Sequence, residues 1–450
     1  MSTENKNITI LGAGLVGSLL SIYMSRRGYN VSIYERRVDM RKATISAGKS
    51  INLALSDRGW KGLKGVGIED SIRKVAIPMD RRIMHNVKGE LTSQQYGEDG
   101  QSIYATSRGI LNCVMMDEAE KSGVKIHFNH RCTGLDIENN VAKFDYNGAE
   151  VEVKSRLIFS ADGAFSAGRL QMQLSTDRFE YSQTYLKHGY KELLIPAGDK
   201  SSFLMEKHAL HIWPRGGYML IALPNLDGSF TCTLFFPFEG EDSFASIKTE
   251  TDCEDFFNRV FPDAIRLMPD VAKQFFGNPT GSLVTVRCFP WVVKDKLCLI
   301  GDAAHAIVPF YGQGMNCGFE DCVVLDQLMD AHGEDWKTIF NEFEVSRKPD
   351  SDAIADLAVA NFIEMRDRVG QKEFLLQKKI EAWFSTKYPE KWIPLYTMVT
   401  FSPDIRYSEA LREGQRQESI MKKVMALDNI DSKWNSEEVE NLMLELLNSK

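Results

Sequence analysis

The first 35 residues constrain the fold more than any other part of the chain. Residues 8–11 predict a short strand, and residues 12–17 follow with the pattern Gly-x-Gly-x-x-Gly at the start of a helical run. A second short strand, 31–34, ends directly at Glu35. A β-α-β unit with this turn and this terminal acid is typical of Rossmann-like domains that bind a dinucleotide.

The glycines and the acid serve different parts of such a ligand. The glycines permit a tight turn and let a pyrophosphate approach the backbone, while the helix N-terminus supplies free N–H groups and the positive end of its dipole. Glu35 lies 23 residues after Gly12, which suits a carboxylate that accepts from a ribose hydroxyl. Because this carboxylate would repel a 2′-phosphate, FAD or NAD is expected rather than NADP.

Two later segments favour FAD. In one, the strand-like run 157–160 leads to Asp162; in the other, the run 297–300 leads to Asp302 and then to the glycine-rich loop 312–316. A carboxylate after a strand can bind ribityl hydroxyls, and a glycine-rich loop that opens a helix can direct N–H groups at the flavin pyrimidine oxygen. An NAD dehydrogenase has no need of this third element, so FAD is the predicted cofactor.

A chain of 450 residues has room for two or three domains. From about residue 181 to 286, aromatic and β-branched segments alternate with turn sequences, which predicts an antiparallel sheet separate from the β-α-β body. The predicted fold class is α/β. It consists of a discontinuous Rossmann-like FAD-binding domain (1–180 and 285–350), an inserted antiparallel β-sheet substrate domain (181–284, with part of 70–105) and a C-terminal helical region (351–450).

Composition excludes several classes of protein. The net charge of −8 argues against nucleic acid or an anionic membrane surface as the main partner. No run approaches the roughly 20 apolar residues of a membrane helix, and the polar segment 1–7 leaves no room for a signal peptide. The eight cysteines form no Cys-x-x-Cys pair, and His208 and His211 have no third ligand nearby. No metal site is expected, and the setting is predicted to be reducing and cytoplasmic.

The three dinucleotide-type segments, in this order from residue 12 to residue 316, resemble the FAD-dependent aromatic hydroxylases of the para-hydroxybenzoate hydroxylase type. These are single-component flavoprotein monooxygenases. Further segments are similar to those of the kynurenine 3-monooxygenase family, and the resemblance runs from residue 8 to about residue 410. Those segments are Met79–His85, Tyr96-Gly97, Ser107–Asn112, Val308–Asn316, Asn361–Arg366 and Pro394–Phe401.

The resemblance implies an activity. L-kynurenine, NADPH and O2 would give 3-hydroxy-L-kynurenine, with FAD as the cofactor, NADPH as co-substrate and a flavin C4a-hydroperoxide as the oxygen donor. In that family the segment around Asp162 serves both FAD and the nicotinamide donor. The donor has no glycine fingerprint of its own in this chain, so the residues themselves do not separate NADPH from NADH.

The resemblance also implies the substrate residues. Arg82 and Tyr96 would hold the α-carboxylate, for which a guanidinium fork and a phenol donor are suited. Asn361 and Tyr396 would complete the polar contacts, and Met365, four residues after Asn361, would offer an apolar wall on the same helix face. Two further residues, Phe310 and Tyr311, match positions that close the pocket over the flavin.

The cofactor residues come partly from the motifs and partly from the resemblance. They are Gly12, Gly14, Val16, Gly17, Glu35, Arg36, Ala54, Arg108, Asp162, Asp302, Gly314, Met315 and Asn316.

Two alternatives stay open at this point. One is a hydroxylase of the same fold that acts on another aromatic acid, whose carboxylate Arg82 would bind equally well. The other is a non-catalytic binding protein on an FAD-type scaffold, which would not need Asp302 or the loop 312–316. Eukaryotic members of the family carry a hydrophobic anchor at the C-terminus, whereas this chain has a polar tail, so no membrane anchor is expected. The sequence does not distinguish a monomer from a dimer.

Overall fold

The computed structural model describes residues 6–42, 51–97, 100–368 and 371–449. Of the polar segment 1–7, in which no signal peptide is expected, only the last two residues are among them.

The strands, in chain order, are β1 (Asn7–Leu11), β2 (Asn30–Tyr34), β3 (Asn52–Leu55), β4 (Ile77–Met79), β5 (Arg81–His85), β6 (Leu91–Gln95), β7 (Ile103–Ser107), β8 (Lys125–His127), β9 (His130–Asp136), β10 (Val141–Tyr146), β11 (Ala149–Lys154), β12 (Leu157–Ser160), β13 (Glu180–Ile195), β14 (Ala209–Pro214), β15 (Met219–Pro224), β16 (Phe230–Pro237), β17 (Thr280–Phe289), β18 (Val292–Val293) and β19 (Leu297–Leu299).

The α-helices are α1 (Leu15–Arg26), α2 (Asp57–Gly65), α3 (Glu69–Arg73), α4 (Arg108–Lys121), α5 (Ala167–Ser175), α6 (Glu250–Val260), α7 (Val271–Gly277), α8 (Asp302–His305), α9 (Gly314–His332), α10 (Trp336–Ile363), α11 (Lys372–Lys387), α12 (Leu395–Thr400), α13 (Tyr407–Met425), α14 (Ile430–Lys433) and α15 (Glu437–Asn448).

One sheet within the described residues has six strands in the order β18-β19-β12-β1-β2-β8. Its strands are parallel except for β18, and β1 lies between β2 and β12. Helices α1, α4, α9 and α10 supply apolar residues to the core around it, among them Leu20, Met115, Phe319 and Phe340. The strands of a parallel sheet with helices on its faces read as continuous apolar runs, which is why residues 157–160 were recognisable from the sequence.

A second sheet has seven strands in the order β17-β13-β16-β15-β14-β5-β6. Alternate side chains of its strands enter two different cores. Trp213 and Phe236 pack against α6 and α7 on one face, whereas Ile212 and Phe235 point to the other face, towards α10. The sheet is therefore covered on both sides, and its second face carries the cavity described below.

The predicted fold class is confirmed by this architecture. The predicted domain limits fall inside regular elements, however: residue 181 lies within β13, residue 284 within β17 and residue 351 within α10. Helix α10 continues through Pro349 because buried residues on both sides of it, such as Phe343 and Ile354, keep the helix packed. The division of the chain into domains remains a prediction.

The C-terminal residues that are described form a further small core. Ile380, Trp392, Val424 and Met443 bring α11, α13 and α15 together. The last helix, α15, therefore packs through one face. No helix among the described residues has both the length and the apolar character needed to cross a bilayer.

A buried ionic cluster joins α8, α9 and α10. The Asp321 carboxylate accepts from Arg347 Nε at 2.8 Å, from His305 Nε2 at 2.6 Å and from the Gly301 amide at 3.1 Å. Burial opposes the charged form of His305, yet Asp321 and Cys317 together raise its pKa well above 6.5. Arg347 also pairs with Glu320 at 2.7 Å and with Asp350 at 3.3 Å. Asp321 therefore lies between two buried cations, directly behind the loops that the glycine-rich motifs form.

Asp321→Asn is expected to lower the free energy of unfolding by about 3–5 kcal/mol, because it removes the carboxylate that pairs with His305 and one of those that pair with Arg347. Chemical unfolding followed by circular dichroism measures this. Glu342→Gln is the matched control, since Glu342 pairs with His332 at the surface at 2.9 Å; its effect should stay below about 1 kcal/mol. Equal effects of the two changes would contradict the role given to Asp321.

Candidate active site

A continuous cavity of about 710 Å³ runs from the six-stranded sheet to the second face of the seven-stranded sheet. At one end it is lined by residues that follow β1, β2, β12 and β19, such as Gly12, Glu35, Asp162 and Asp302. Ligands of open α/β sheets bind at the carboxyl ends of the strands. The volume is within the range of small-molecule and cofactor sites.

The glycine turn leaves the start of α1 open to this cavity. Gly12 has φ of +95°, and a Cβ there would lie 2.8 Å from the Ala161 carbonyl oxygen; a Cβ on Gly17 would lie 2.2 Å from the carbonyl oxygen of Gly12. A Cβ on Gly14, in contrast, would meet nothing within 4 Å. Gly14 is also the N-cap of α1 and offers no side-chain cap, so the first amides of the helix are available to an anion.

Glu35 is held in place at the end of β2. Its carboxylate accepts from the amides of Ala13 at 3.0 Å and Arg37 at 2.9 Å, and both Glu35 and Arg36 line the cavity. Several residues at this end were not predicted from the sequence, among them Arg37, His130, Arg131 and Cys132. The last three start β9, and no sequence motif marks that strand as a neighbour of β2.

The two later motifs meet the same cavity. Asp162 accepts from the amide of Ala167 at 2.7 Å and from Ser160 Oγ at 2.5 Å, and Asp302 is the exposed first residue of α8. Gly314 opens α9 without a side-chain cap. The cavity is thus lined by two helix N-termini that have no side-chain cap and by three carboxylates, those of Glu35, Asp162 and Asp302.

Most of the predicted cofactor residues line the cavity, and two do not. Lining residues are Gly12, Gly14, Val16, Glu35, Arg36, Ala54, Arg108, Asp162, Asp302, Gly314 and Met315. Gly17 instead lets α1 approach the turn. Asn316 donates to the carbonyls of Ala54 at 2.9 Å and Gly312 at 2.8 Å, and accepts from the Ser56 amide at 3.0 Å. Its amide therefore joins the glycine-rich loop to β3 and positions Ala54.

At the other end of the cavity, Arg82 lies beside a stacked pair of tyrosine rings. Its guanidinium carbon is 5.4 Å from the ring centre of Tyr96 and 5.3 Å from that of Tyr396, and the two rings are nearly parallel. Strand register explains the arrangement: Arg82 is the partner of Leu210 on β14 and of Gln94 on β6, two residues before Tyr96. Residues two apart share one face of a strand, so both groups face the cavity.

Two buried polar atoms in this group lack a partner. Arg82 Nε and Tyr96 Oη form no hydrogen bond with the part of the chain that the structure describes. Burial raises the pKa of Tyr96 well above 10 and also raises that of Tyr396, so both phenols keep their protons. An unpaired buried donor is costly, and a carboxylate can accept from both atoms.

Asn361 lies at the cavity, but its side-chain amide already forms contacts within the protein. Its amide nitrogen donates to the Phe310 carbonyl at 2.7 Å and lies 3.2 Å from Met365 Sδ. Helix α10 ends at Ile363 and continues as a π-helix, Glu364–Arg368, which contains Met365. Asn361 thus fixes the backbone of the loop over the cavity, a task that the sequence did not indicate.

The π-helix is also hydrogen-bonded to a turn of the seven-stranded sheet. The carboxylate of Asp367 accepts from the amide of Gly217 at 3.1 Å, and the carbonyl of Arg366 accepts from the amide of Gly216 at 3.1 Å. Both glycines belong to the turn between β14 and β15.

The rest of this end is apolar and aromatic. Phe310 stacks on Phe362 at 3.9 Å and contacts Phe235 at 4.8 Å, and Tyr311 lies 5.7 Å from Tyr396, between ring centres. The wall beyond them was not predicted residue by residue: Leu210, Ile212, Met219, Ile221, Leu223, Thr233 and Leu283. Their alternation along β14 and β15 shows that they share a face, but only the fold shows which face meets the cavity.

Comparison with known proteins agrees with this geometry. Residues 5–337 match the FAD binding domain family. The chain is 52% identical over 449 residues to the kynurenine 3-monooxygenase of Flavobacterium psychrophilum, covering 99% of this chain and 100% of that protein. It is 43% identical over 460 residues to the kynurenine 3-monooxygenase of Dictyostelium discoideum, covering 99% and 98%.

Solved structures support the same fold. The chain is similar to 2-methyl-3-hydroxypyridine-5-carboxylic acid oxygenase, with a TM-score of 0.68 and 19% identity over 83% of this chain and 96% of that one. It is also similar to CtdE in complex with FAD and substrate, with a TM-score of 0.63 and 14% identity over 81% and 90% of the two chains.

The fold, the glycine turn and the matched domain define the class: this is an FAD-dependent flavoprotein monooxygenase. Within that class, the chain belongs to the kynurenine 3-monooxygenase family. The cavity fits FAD, because a backbone cradle without side chains at Gly12 and Gly14 lies beside an oriented acid, Glu35, and two helix N-termini.

Gly14→Val is expected to give a folded protein that purifies without flavin colour, because the new side chain enters the open space that a pyrophosphate needs. The visible absorbance of the purified protein measures this. Gly277→Val is the matched control: a Cβ on Gly277 also meets nothing within 4 Å, and that residue is exposed at the end of α7 away from the cavity. A yellow Gly14→Val protein would contradict the assignment.

Proposed function

We propose that this protein hydroxylates L-kynurenine at ring position 3, with FAD as cofactor and with NADPH and O2 as co-substrates. Kynurenine is an aromatic ketone that carries an amino acid. The cavity offers one group of cationic and phenolic donors and a long apolar wall, which match the acid end and the ring of that molecule.

One observation carries the proposal: the unpaired donors Arg82 Nε and Tyr96 Oη at the apolar end of the cavity. Arg82 and Tyr96 would bind the substrate α-carboxylate, as charge-assisted hydrogen bonds to a guanidinium are strong and directional. Tyr396 would add its phenol from its position stacked on Tyr96. Asn361 would act mainly by holding Phe310, with Met365 as an apolar neighbour.

The rings and aliphatic residues would then place the aromatic ring. Phe310 and Tyr311 lie on the 3-10 helix Pro309–Tyr311, directly before the glycine-rich loop, so they stand between the substrate end and the cofactor end. Fixing the acid group far from the reacting carbon limits the ring to a narrow range of positions. An enzyme of this kind gains rate from such positioning. The buried wall excludes water from the ring.

When bound, FAD supplies the acceptance of hydride and the activation of oxygen. The pyrophosphate would lie at the start of α1, and Glu35 would accept from the ribose of the adenosine. Asp162 and Asp302 would serve the ribityl and pyrophosphate region, and the amides of Gly314 and Met315 the flavin pyrimidine ring, since all four residues line the cavity.

The two alternatives fit less well. A hydroxybenzoate carries its acid directly on the ring, so it would not span the distance that an amino acid side chain provides. A non-catalytic binding protein would not need the exposed Asp302 or the open start of α9, and both face the cavity. We further propose a cytoplasmic location, which the eight free cysteines support.

The proposal is tested by NADPH consumption with and without L-kynurenine, with the product identified by mass. L-kynurenine should stimulate the oxidation of NADPH, and the product should be heavier than L-kynurenine by one oxygen atom. A panel that includes a hydroxybenzoate and an anthranilate-like acid serves as the comparison. Stimulation by one of those acids, with none by L-kynurenine, would overturn the proposed substrate.

Arg82→Met is expected to raise KM for L-kynurenine by on the order of 100-fold, since it removes charge-assisted hydrogen bonds worth about 3 kcal/mol. Steady-state kinetics measures this on flavin-loaded enzyme. The control is Arg81→Met on the same strand: Arg81 pairs with Asp80 at 2.6 Å and does not line the cavity. Its KM should change by less than about twofold. Similar effects of the two changes would contradict the role of Arg82.

A further inference from the structure

Two histidines and an aspartate form a buried chain of hydrogen bonds on the far side of the strand that carries Arg82. His85 ends β5, His211 lies within β14, and Asp263 follows α6. The two histidines are only 5% and 2% exposed. None of the three lines the cavity, so they can affect a bound molecule only through the strands.

The distances in the chain are short. His85 Nδ1 is 2.6 Å from Asp263 Oδ2, His85 Nε2 is 2.9 Å from His211 Nδ1, and His211 Nε2 is 2.9 Å from the Glu206 carbonyl oxygen. Trp213 stacks on His85 with ring centres 4.0 Å apart, and its Nε1 donates to the same Asp263 oxygen at 2.9 Å.

The hydrogen bonds have one consistent direction. The Glu206 carbonyl can only accept, so His211 Nε2 carries a proton. Burial lowers the pKa of His211 to about 4, so its Nδ1 is bare and accepts from His85 Nε2. Burial opposes the ionised form of Asp263, but hydrogen bonds from His85 and Trp213 lower its pKa below its usual value. The Asp263 carboxylate therefore accepts from Trp213 Nε1 and lies within hydrogen-bond distance of His85 Nδ1, so the His85 ring is held at both of its nitrogens.

Other charged groups surround this chain. Arg215 donates to the carbonyls of His85 at 2.9 Å and Val260 at 2.7 Å, which ties the end of β5 to the end of α6. Arg81 and Asp80 pair with each other at the start of β5. The Glu206 carboxylate accepts from a nearby backbone amide in the loop before β14.

Strand β5 depends on such an anchor because its outer neighbour is weakly held. Strand β6 is the edge of the seven-stranded sheet, and four of its five residues are exposed. Strand β5 pairs with β14 over 81–84 and 209–212. The β5–β6 hairpin carries Arg82 and leads directly to Tyr96, so the position of both donors follows from how β5 sits on β14.

We infer that His85, hydrogen-bonded between His211 and Asp263, is a positioning residue that holds the β5–β6 hairpin on β14 and thereby sets the place of the Arg82 guanidinium. The predicted effect on L-kynurenine rests on the proposed function, whereas the hydrogen bonds of His85 do not depend on it. Loss of the anchor should weaken binding of the acid group more than turnover of the bound molecule.

His85→Phe keeps a ring against Trp213 but removes both side-chain hydrogen bonds. In flavin-loaded enzyme it is expected to raise KM for L-kynurenine by about tenfold while kcat changes less than about threefold. His332→Phe is the matched control, because His332 pairs with Glu342 at 2.9 Å on the surface, and it should leave both constants unchanged. Flavin content and circular dichroism show whether each variant is folded.

Asp263→Asn provides a second, independent test. The same Asp263 oxygen lies 2.6 Å from His85 Nδ1 and 2.9 Å from Trp213 Nε1. Because an asparagine has no charge and only one oxygen, it would hold His85 less firmly, so KM for L-kynurenine should rise as it does in His85→Phe while kcat changes less than about threefold. Nitrogen-15 spectra of the histidine side chains should show the hydrogen bond between His85 and His211 in the unchanged protein.

Two results would overturn the inference: no hydrogen bond between His85 and His211 in the spectra of the unchanged protein, or a folded His85→Phe enzyme whose KM equals that of the unchanged enzyme. Failure of the proposed function would look different, since the unchanged enzyme itself would then give no response to L-kynurenine. The histidine spectra would still decide whether His85 is hydrogen-bonded to His211.

Discussion

The close approach of Gly17 to the carbonyl of Gly12 is the constraint from which the site follows. A Cβ on Gly17 would lie only 2.2 Å from that oxygen, so only a glycine lets α1 start this near the end of β1. The approach aims the first amides of α1 at the edge where β2 and β12, in register on either side of β1, end with Glu35 and Asp162. The cofactor end of the cavity is therefore assembled by backbone geometry before any side chain contributes.

The substrate end is built in another way, by a sheet that is buried on both faces. Trp213 and Phe236 pack on α6 and α7, while Ile212 and Phe235 face the cavity. The layer behind the sheet thus supports the strands whose other side chains meet the ligand. Arg82 and His85 lie on opposite faces of the same short strand. This strand therefore links the cation in the cavity to the buried chain of hydrogen bonds behind it.

The sequence predicts those parts of the molecule that are marked by short local motifs. The turn at 12–17, the acids Glu35, Asp162 and Asp302, and the class of fold all follow from short motifs, and the resemblance added Arg82 and Tyr96. It could not show that β5, which pairs with its neighbour β6, also pairs in parallel with the distant β14, since parallel pairing between distant segments leaves no local pattern. It also did not reveal that Asn316 and Asn361 bind backbone carbonyls of distant segments, because such contacts leave no local pattern either. Proline is a helix breaker in isolation, and tertiary packing overrides that preference at Pro349.

The π-helix at 364–368 has a consequence for how this chain can vary in length. Successive residues of an α-helix are turned by about 100°, so deleting one residue here could restore a regular helix yet swing everything after it around the axis. Arg366 and Asp367 would then no longer reach the two glycine amides between β14 and β15. The length of the chain at this point is therefore fixed by the two hydrogen bonds that attach the π-helix to the turn between β14 and β15.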